Sequence, residues 1–493
     1  MDTVETLSVV RDRLAAGTTG FVLGDETNVL ALTGGTIDVE NPSDGSVLGT
    51  VAAAGADDVG AAVALARQAV ADRRWSAKHP GKKSLVLSDL RKLLEDHRDE
   101  FAQWEALDAG IPISQTLLQV YGAAGICHHY AGWPTKLYGD LNPLVSSFHS
   151  YTVREPVGVV AVLVPWNQPL FTVAARVAPA LAAGNCVILK ASRRAPYSAV
   201  RFGELALEAG LPPGALTVLT GDGATAGSAL VRHPDVDMVT YIGSQATGTQ
   251  LRELAAPDGK RLLMELGGKS PHIVFPDADL DRAVDSAATT VWRNAGQISN
   301  VGSRLLVHRS IHDRFVDRVV ETLAELRVGS AMDRETRIGP LISAGQQRRV
   351  GEYLRIAEEQ GAKPVLRGTV PDGPGYYTTP AVLTDVDPRS RIAQEEVFGP
   401  VLAVTAFDDE EHALALANDS RYGLGAGVWT SDVRRAHRFA QRLGAGNVWI
   451  NVYGMSDVSA PVGGFGASGV GADGGREWIN AYTRPKAVFV SLL

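Results

Sequence analysis

The 493-residue chain has only two cysteines, Cys127 and Cys186, so it carries no disulfide framework. It also lacks a long apolar run. The longest, Val157 to Trp166, is well below the roughly 18 residues that cross a bilayer. The stretch from Met1 to Gly20 mixes Asp2, Glu5, Arg11, Asp12 and Arg13 with short apolar steps, and it has no unbroken apolar core of the kind export signals need. The expectation is a cytoplasmic protein with no membrane partner. Basic blocks are missing too: 47 Lys and Arg against 55 Asp and Glu give a net charge of −8, and the cations fall in scattered pairs such as Arg73-Arg74, Lys82-Lys83 and Arg193-Arg194. Nucleic acid is therefore not an expected partner. There is no internal repeat and no low-complexity linker.

What is present is a globular balance, 45% hydrophobic and 21% charged, over a length that predicts two or three domains. Apolar β-rich runs alternate with Ala/Leu-rich segments of helical period, the pattern of βα units around a parallel sheet. The fold class is α/β. Helices are expected over residues 57–72, 83–109 and 174–183, and buried strands over 157–164 and 186–190. Two further strands, 146–155 and the C-terminal 486–493, stand apart from that pattern. An apolar terminal strand must find a partner, in its own chain or in another subunit. Gly368 to Tyr377 reads as an exposed loop, and Cys127-His128-His129 as part of a core helix. Adjacent histidines on a helix do not face one another, so no metal site is expected.

Four constellations place polar groups at predicted strand ends. In Val164-Pro165-Trp166-Asn167-Gln168-Pro169 the Asn167 amide is suited to stabilise an oxygen that turns negative, although Asn beside Pro also suits a plain turn. Lys190 ends a strand and is followed by Gly221-Asp222-Gly223-Ala224-Thr225-Ala226-Gly227, glycines that permit close backbone approach to a nucleotide or simply a tight helix entry. Gly243 and Ser244 open a helix, as a pyrophosphate site or an N-cap would. Glu265, among apolar residues before Gly267-Gly268, is a candidate general base or a salt-bridged structural carboxylate.

Together with Glu395-Glu396-Val397-Phe398-Gly399-Pro400 and the segment from Pro461 to Gly469, these motifs in this order resemble the aldehyde dehydrogenase superfamily, from about Val39 to the C-terminus. The resemblance implies a Rossmann-like NAD(P)-binding domain (1–131 and 155–264), an α/β catalytic domain (265–465) and a small β oligomerisation arm (132–154 and 466–493) that pairs subunits into dimers or tetramers. The chemistry it implies is oxidation of an aldehyde to a carboxylic acid through a cysteine thiohemiacetal and thioester. Asn167 and the amide of residue 299 would hold the oxyanion, and Glu265 would be the base. Lys190 would hold the adenosine ribose, Gly243 and Ser244 the pyrophosphate and Glu396 the nicotinamide ribose, with Ser192, Arg193, Gly223 and Gly227 also in the cofactor site. Phe398 would pack near the nicotinamide and Trp166 against the cofactor pocket. Tyr121, Gln168, Trp292, Ile298, Met455 and Ser456 would line the substrate tunnel, with Arg293 either facing it to meet a carboxylate or lying at the surface.

The sequence departs from the family pattern at its centre: Ser299, in Gly296-Gln297-Ile298-Ser299-Asn300, stands where the family has cysteine. A thiol with a pKa of about 8.5 supplies thiolate near neutrality, whereas a serine hydroxyl supplies almost no alkoxide without a dedicated base. Turnover is therefore expected to be very weak or absent. Either a cysteine has been replaced, the preferred reading because Asn167, Glu265, Glu396 and Phe398 all match, or the chain is a natural noncatalytic member that binds nucleotide or protein partners. A serine esterase is a third reading. Val462 and Gly466 also deviate. Arg193 occupies a place where NAD-dependent members commonly carry Glu, which tilts the cofactor expectation from NAD slightly towards NADP.

Overall fold

The computed structural model describes residues 3–144 and 147–493. Its largest sheet runs Glu26–Val29, Phe21–Leu23, Leu216–Leu219, Cys186–Lys190, Val159–Leu163, Met238–Ile242, Arg261–Glu265 and Gly469–Val470. The five strands from Leu216–Leu219 to Arg261–Glu265 are parallel. Val159–Leu163 and Cys186–Lys190 are apolar on both faces, up to the terminal lysine, and every residue in them is buried, as strands covered by helices on both sides must be. Counted along the chain these five lie in the order 3-2-1-4-5, so direction reverses between Val159–Leu163 and Met238–Ile242. Open α/β sheets bind ligands beyond the carboxyl ends of the strands at such a reversal. Trp166-Asn167 and Gly243-Ser244 follow those two strands.

A second sheet runs Lys363–Arg367, Ala381–Thr384, Val401–Phe407, Arg304–His308, Pro271–Val274, Gly425–Trp429 and Asn447–Ile450, parallel but for its first strand. Glu265 ends a strand of the first sheet and Pro271 starts a strand of the second, with Leu266-Gly267-Gly268-Lys269-Ser270 between them. The carboxyl edge of one sheet thus meets the amino edge of the other.

Several expected elements differ in detail. The single helix over 83–109 is two, Pro80–Asp96 and Arg98–Asp108, broken at His97, whose φ of −98° and ψ of 18° leave the helical region. The His97 ring bonds Glu100 in the second helix and fixes the corner. The helix expected from residue 174 begins at Pro169, because Pro suits the first helical position and Glu105 accepts a hydrogen bond from the Leu170 amide. The C-terminal strand, Thr483–Ser491, finds its partner within the chain, in antiparallel register with Phe148–Pro156. The expected start of that partner strand, Ser146, lies outside the described residues.

Both thiols are buried, and burial pushes each up to about 12. Cys186 sits at the amino end of the strand whose carboxyl end carries Lys190, so neither its position nor its protonation lets it stand in for a nucleophile at residue 299. No helix among the described residues is long and apolar enough to cross a membrane, and no group of three metal-ligating side chains occurs among them.

Candidate active site

The loop that carries Ser299 is held in an unusual backbone state. After the helix Leu280–Trp292, Asn294, Ala295 and Gly296 take φ of 46°, 51° and 70° in succession, the left-handed region. Asn and Gly tolerate it; Ala295 does so at a cost of about 1–2 kcal/mol. Five side-chain bonds hold the turn in place, one of them from the Asn294 backbone amide to Gln115 Oε1 at 2.9 Å. Asn294 Nδ2 donates to the Asn167 carbonyl (2.7 Å), and Asn167 Nδ2 donates to the Gln297 carbonyl (2.9 Å). Gln297 Nε2 donates to the Asn294 carbonyl, and Gln297 Oε1 accepts from the Ile342 amide. Gly296 lies so close to Gly399 that a Cβ would sit 2.2 Å from its carbonyl oxygen. Asn167 and Ser299 are therefore brought to the same loop, and one proton of the Asn167 amide stays free to meet an oxyanion.

Ser299 is half-buried, and its hydroxyl has no hydrogen-bond partner among the described residues. The carboxylate nearest in role is already engaged. Glu265 Oε2 accepts from the Arg176 guanidinium at 2.9 Å, and the other arm of Arg176 binds Asp473. Burial raises the Glu265 pKa, the Arg176 charge works against that rise and Asp473 adds to it. With 22% of its side chain exposed, Glu265 remains open to water. Arg176 is the functional neighbour that sequence reasoning passed over. Its signal was a lone cation in the otherwise apolar helix PLFTVAARVAPALA.

The groups expected to hold a nucleotide gather at the sheet reversal. Lys190 Nζ donates to the Gly221 carbonyl at 3.2 Å. Burial brings its pKa down to about 8, with Asp222 opposing the fall and Arg193 adding to it. Gly227, in the turn Gly223–Gly227, lies against the Lys190 stem, and a Cβ on it would stand 3.8 Å from the lysine Cδ. Ser192 is buried and its hydroxyl accepts from the Arg194 amide. Arg193 pairs with Asp222 at 3.0 Å, both about half exposed. Gly243 passes Tyr241 so closely that a Cβ would lie 2.1 Å from the phenol oxygen, and Ser244 caps the helix Gln245–Ala255 by accepting from the Thr247 amide. Opposite them, Glu396 accepts from the Gly268 amide, and burial pushes it up to about 7. Phe398, at φ 61°, meets Trp166 edge-to-face with ring centroids 5.4 Å apart. Arg349 and Gln346 donate to the carbonyls of Glu396 and Phe398 and hold this loop; neither stood out in the sequence.

Residues 30–488 match the Aldehyde dehydrogenase family. The chain belongs to that family. It is 39% identical over 465 residues to the protein DhaS of Bacillus subtilis (strain 168), covering 94% of each chain. Among solved structures, it is similar to the NAD+ complex of an aldehyde dehydrogenase from Bacillus cereus, with a TM-score of 0.96 and 37% identity, covering 98% of both chains. It is also similar to a Staphylococcus aureus betaine aldehyde dehydrogenase in complex with NAD+, with a TM-score of 0.96 and 32% identity, covering 99% of this chain and 98% of that one.

The positions that the family resemblance assigned to the tunnel wall are distributed unevenly. Ile298 is buried and lines a cleft beside Ser299. Gln168 sits at the N-cap of the helix Pro169–Ala182. Tyr121 is 51% exposed and accepts a hydrogen bond from Arg98, while Met455 is 66% exposed and Ser456 lies beside it at the surface. Trp292 packs against the core beneath the helix Leu280–Trp292, and it is its neighbour Arg293 that lines the cleft.

Proposed function

We propose that the chain binds an aldehyde together with NAD or NADP, in the arrangement that oxidises the aldehyde to its carboxylic acid, and that Ser299 leaves the attacking step nearly stalled. The observation that carries this reading is the state of the loop at Ser299: a hydroxyl with no hydrogen-bond partner among the described residues, on the loop that the Asn167 amide clamps at Gln297, while Glu265 is bound to Arg176. Asn167 and the residue 299 amide receive the carbonyl oxygen. Glu265 holds or takes the proton of a water in the deacylating step. The bound nucleotide supplies the hydride acceptor. Its fit rests on backbone approach: Gly243 and Gly267 both lie where a Cβ would strike a neighbour, Gly267 at 2.2 Å from Glu396 Oε2. Lys190, Ser244 and Glu396 then supply a cation, a helix N-terminus and a carboxylate to the adenosine ribose, the pyrophosphate and the nicotinamide ribose. Gly267→Ala displaces Glu396 and weakens NAD binding by about tenfold or more in a fluorescence titration; unchanged affinity would remove Glu396 from the nucleotide site.

Acceptance of NADP rests on Arg193, which its partner Asp222 partly neutralises. Asp222→Asn frees the guanidinium and removes a negative charge, so NADP affinity rises about two- to fivefold relative to NAD. Comparison of the two dissociation constants measures it.

The same reading includes a homodimer or homotetramer and the domain boundaries stated above. Thr483–Ser491 is an edge of its three-stranded sheet and bears exposed Phe489 and Val490, with Leu492 and Leu493 beyond. Such an edge favours pairing with another copy. Light scattering should give at least twice the chain mass of 52.2 kDa.

A further inference from the structure

The helix Arg98–Asp108 is buried along most of its length, and two of its buried side chains, Glu105 and Asp108, are carboxyls three residues apart. That spacing puts both on one helix face. From it each carboxyl reaches the first turn of a different helix beside the large sheet. Glu105 Oε1 accepts from the Leu170 amide at 2.6 Å, and Asp108 Oδ2 accepts from the Tyr197 amide at 3.3 Å. The helices they serve, Pro169–Ala182 and Tyr197–Glu208, follow the strands Val159–Leu163 and Cys186–Lys190, whose ends lead into Asn167 and into Ser192-Arg193.

The helix Pro169–Ala182 depends on Glu105 because it does not cap itself. Gln168 at its N-cap makes no side-chain cap bond, Pro169 has no amide to give, and the burial of Leu170 denies its donor solvent. An N-cap side chain ordinarily serves the second or third helical amide. Here that oxygen comes from 65 residues away in the chain. Asn167 stands three residues before Leu170 in the same corner, and it meets the Ser299 loop twice: its carbonyl accepts from Asn294 Nδ2, and its side-chain amide donates to the Gln297 carbonyl. Glu105 Oε2 has no hydrogen-bond partner among the described residues, so no ion pair explains this buried carboxyl. Burial pushes it up to about 8 against the pull of the Leu170 bond. Near neutrality it is therefore mostly uncharged, and its carbonyl oxygen takes the amide proton.

We propose that Glu105 is a positioning residue for the oxyanion donor: by holding the Leu170 amide it sets where the Asn167 amide stands relative to residue 299, although Glu105 itself touches neither of them. The proposal rests on the reading that Asn167 receives the aldehyde oxygen. A misplacement of about 1 Å costs on the order of a hundredfold in rate, which gives a remote carboxyl a long lever.

Two readouts test Glu105 separately from the aldehyde reading beneath it. The first uses the Ser299 chain with NAD bound and needs no turnover: hydrogen exchange followed by mass spectrometry. Glu105→Leu fills the space but cannot accept the Leu170 proton, and it is expected to speed exchange in residues 293–300 by about tenfold; Glu105→Gln keeps the oxygen and restores the slow rate. Unchanged exchange in 293–300 overturns the positioning role. The second readout is the NADH burst of the Ser299→Cys chain with butanal and with benzaldehyde. Glu105→Leu is expected to lower the burst rate constant by about ten- to a hundredfold, with the NAD dissociation constant within about twofold of the parent, and Glu105→Gln to recover most of the loss. With Asn167→Ala already present, the same change costs less than about twofold, because the group it positions is gone. An equal loss in both backgrounds, or no rescue by Gln, assigns Glu105 to general stability and overturns the proposal. Absence of any burst from Ser299→Cys itself overturns the aldehyde reading and leaves exchange to decide on Glu105. If Glu105→Leu does not bind NAD and is therefore unfolded, Glu105→Asp takes its place in both measurements, its carboxyl one methylene short of the Leu170 amide and the expected directions the same.

Discussion

Ser299→Cys is expected to raise NAD(P)H formation from aldehydes by roughly ten-thousandfold or more, the scale on which enzymes depend on an intact nucleophile. The gain is chemical. Thiolate is accessible near neutral pH and intrinsically nucleophilic, whereas the Ser299 hydroxyl lacks a base to take its proton. Nothing else at the site needs to change, because the Asn167 side-chain amide donates to the Gln297 carbonyl of this loop and Glu265 is held by Arg176. Stopped-flow absorbance with an aldehyde panel measures the effect. A burst of NAD(P)H from the variant supports an oxidising scaffold. Continued silence, with nucleotide still bound, supports a noncatalytic binding protein. An acyl group found on Ser299 of the unaltered chain after ester exposure would instead point to esterase chemistry.

The second large effect is expected from Glu265→Gln placed on top of Ser299→Cys. Loss of a general base lowers turnover by about a hundred- to ten-thousandfold, here in the release of the acyl group rather than in the first burst. The pH profile carries the sign. Glu265 works as the carboxylate, and burial raises its pKa, so activity should climb with pH through a limb above the ordinary carboxyl value of about 4.3. Arg176→Gln removes the charge that holds this pKa down and moves the limb to still higher pH. A limb that stays in place in that variant would show that Arg176 does not tune the base.

The two central strands of the first sheet and the motifs at their ends were legible in the sequence because their cause is local. Val159–Leu163 and Cys186–Lys190 are short apolar runs, and each ends where a polar group is needed. The break at His97 was hidden, since both helices share one periodic pattern and only the His97 to Glu100 contact fixes the corner. Arg176 was hidden for the opposite reason. Its partner Asp473 lies 297 residues away, and no spacing rule connects them. The left-handed turn of Asn294, Ala295 and Gly296 was hidden too, because local propensity does not foretell three such residues in a row.

That turn also decides how tolerant the site is. Every bond that clamps it, from Asn294 to Asn167, Asn167 to Gln297 and Gln297 to Ile342, uses atoms other than the side chain of residue 299. The ordering entropy of the loop is therefore lost during folding and is the same for any small residue at that position. Evolution or a single base change at residue 299 can switch the attacking atom on or off without rebuilding the pocket, which makes this a place where activity and architecture are inherited separately.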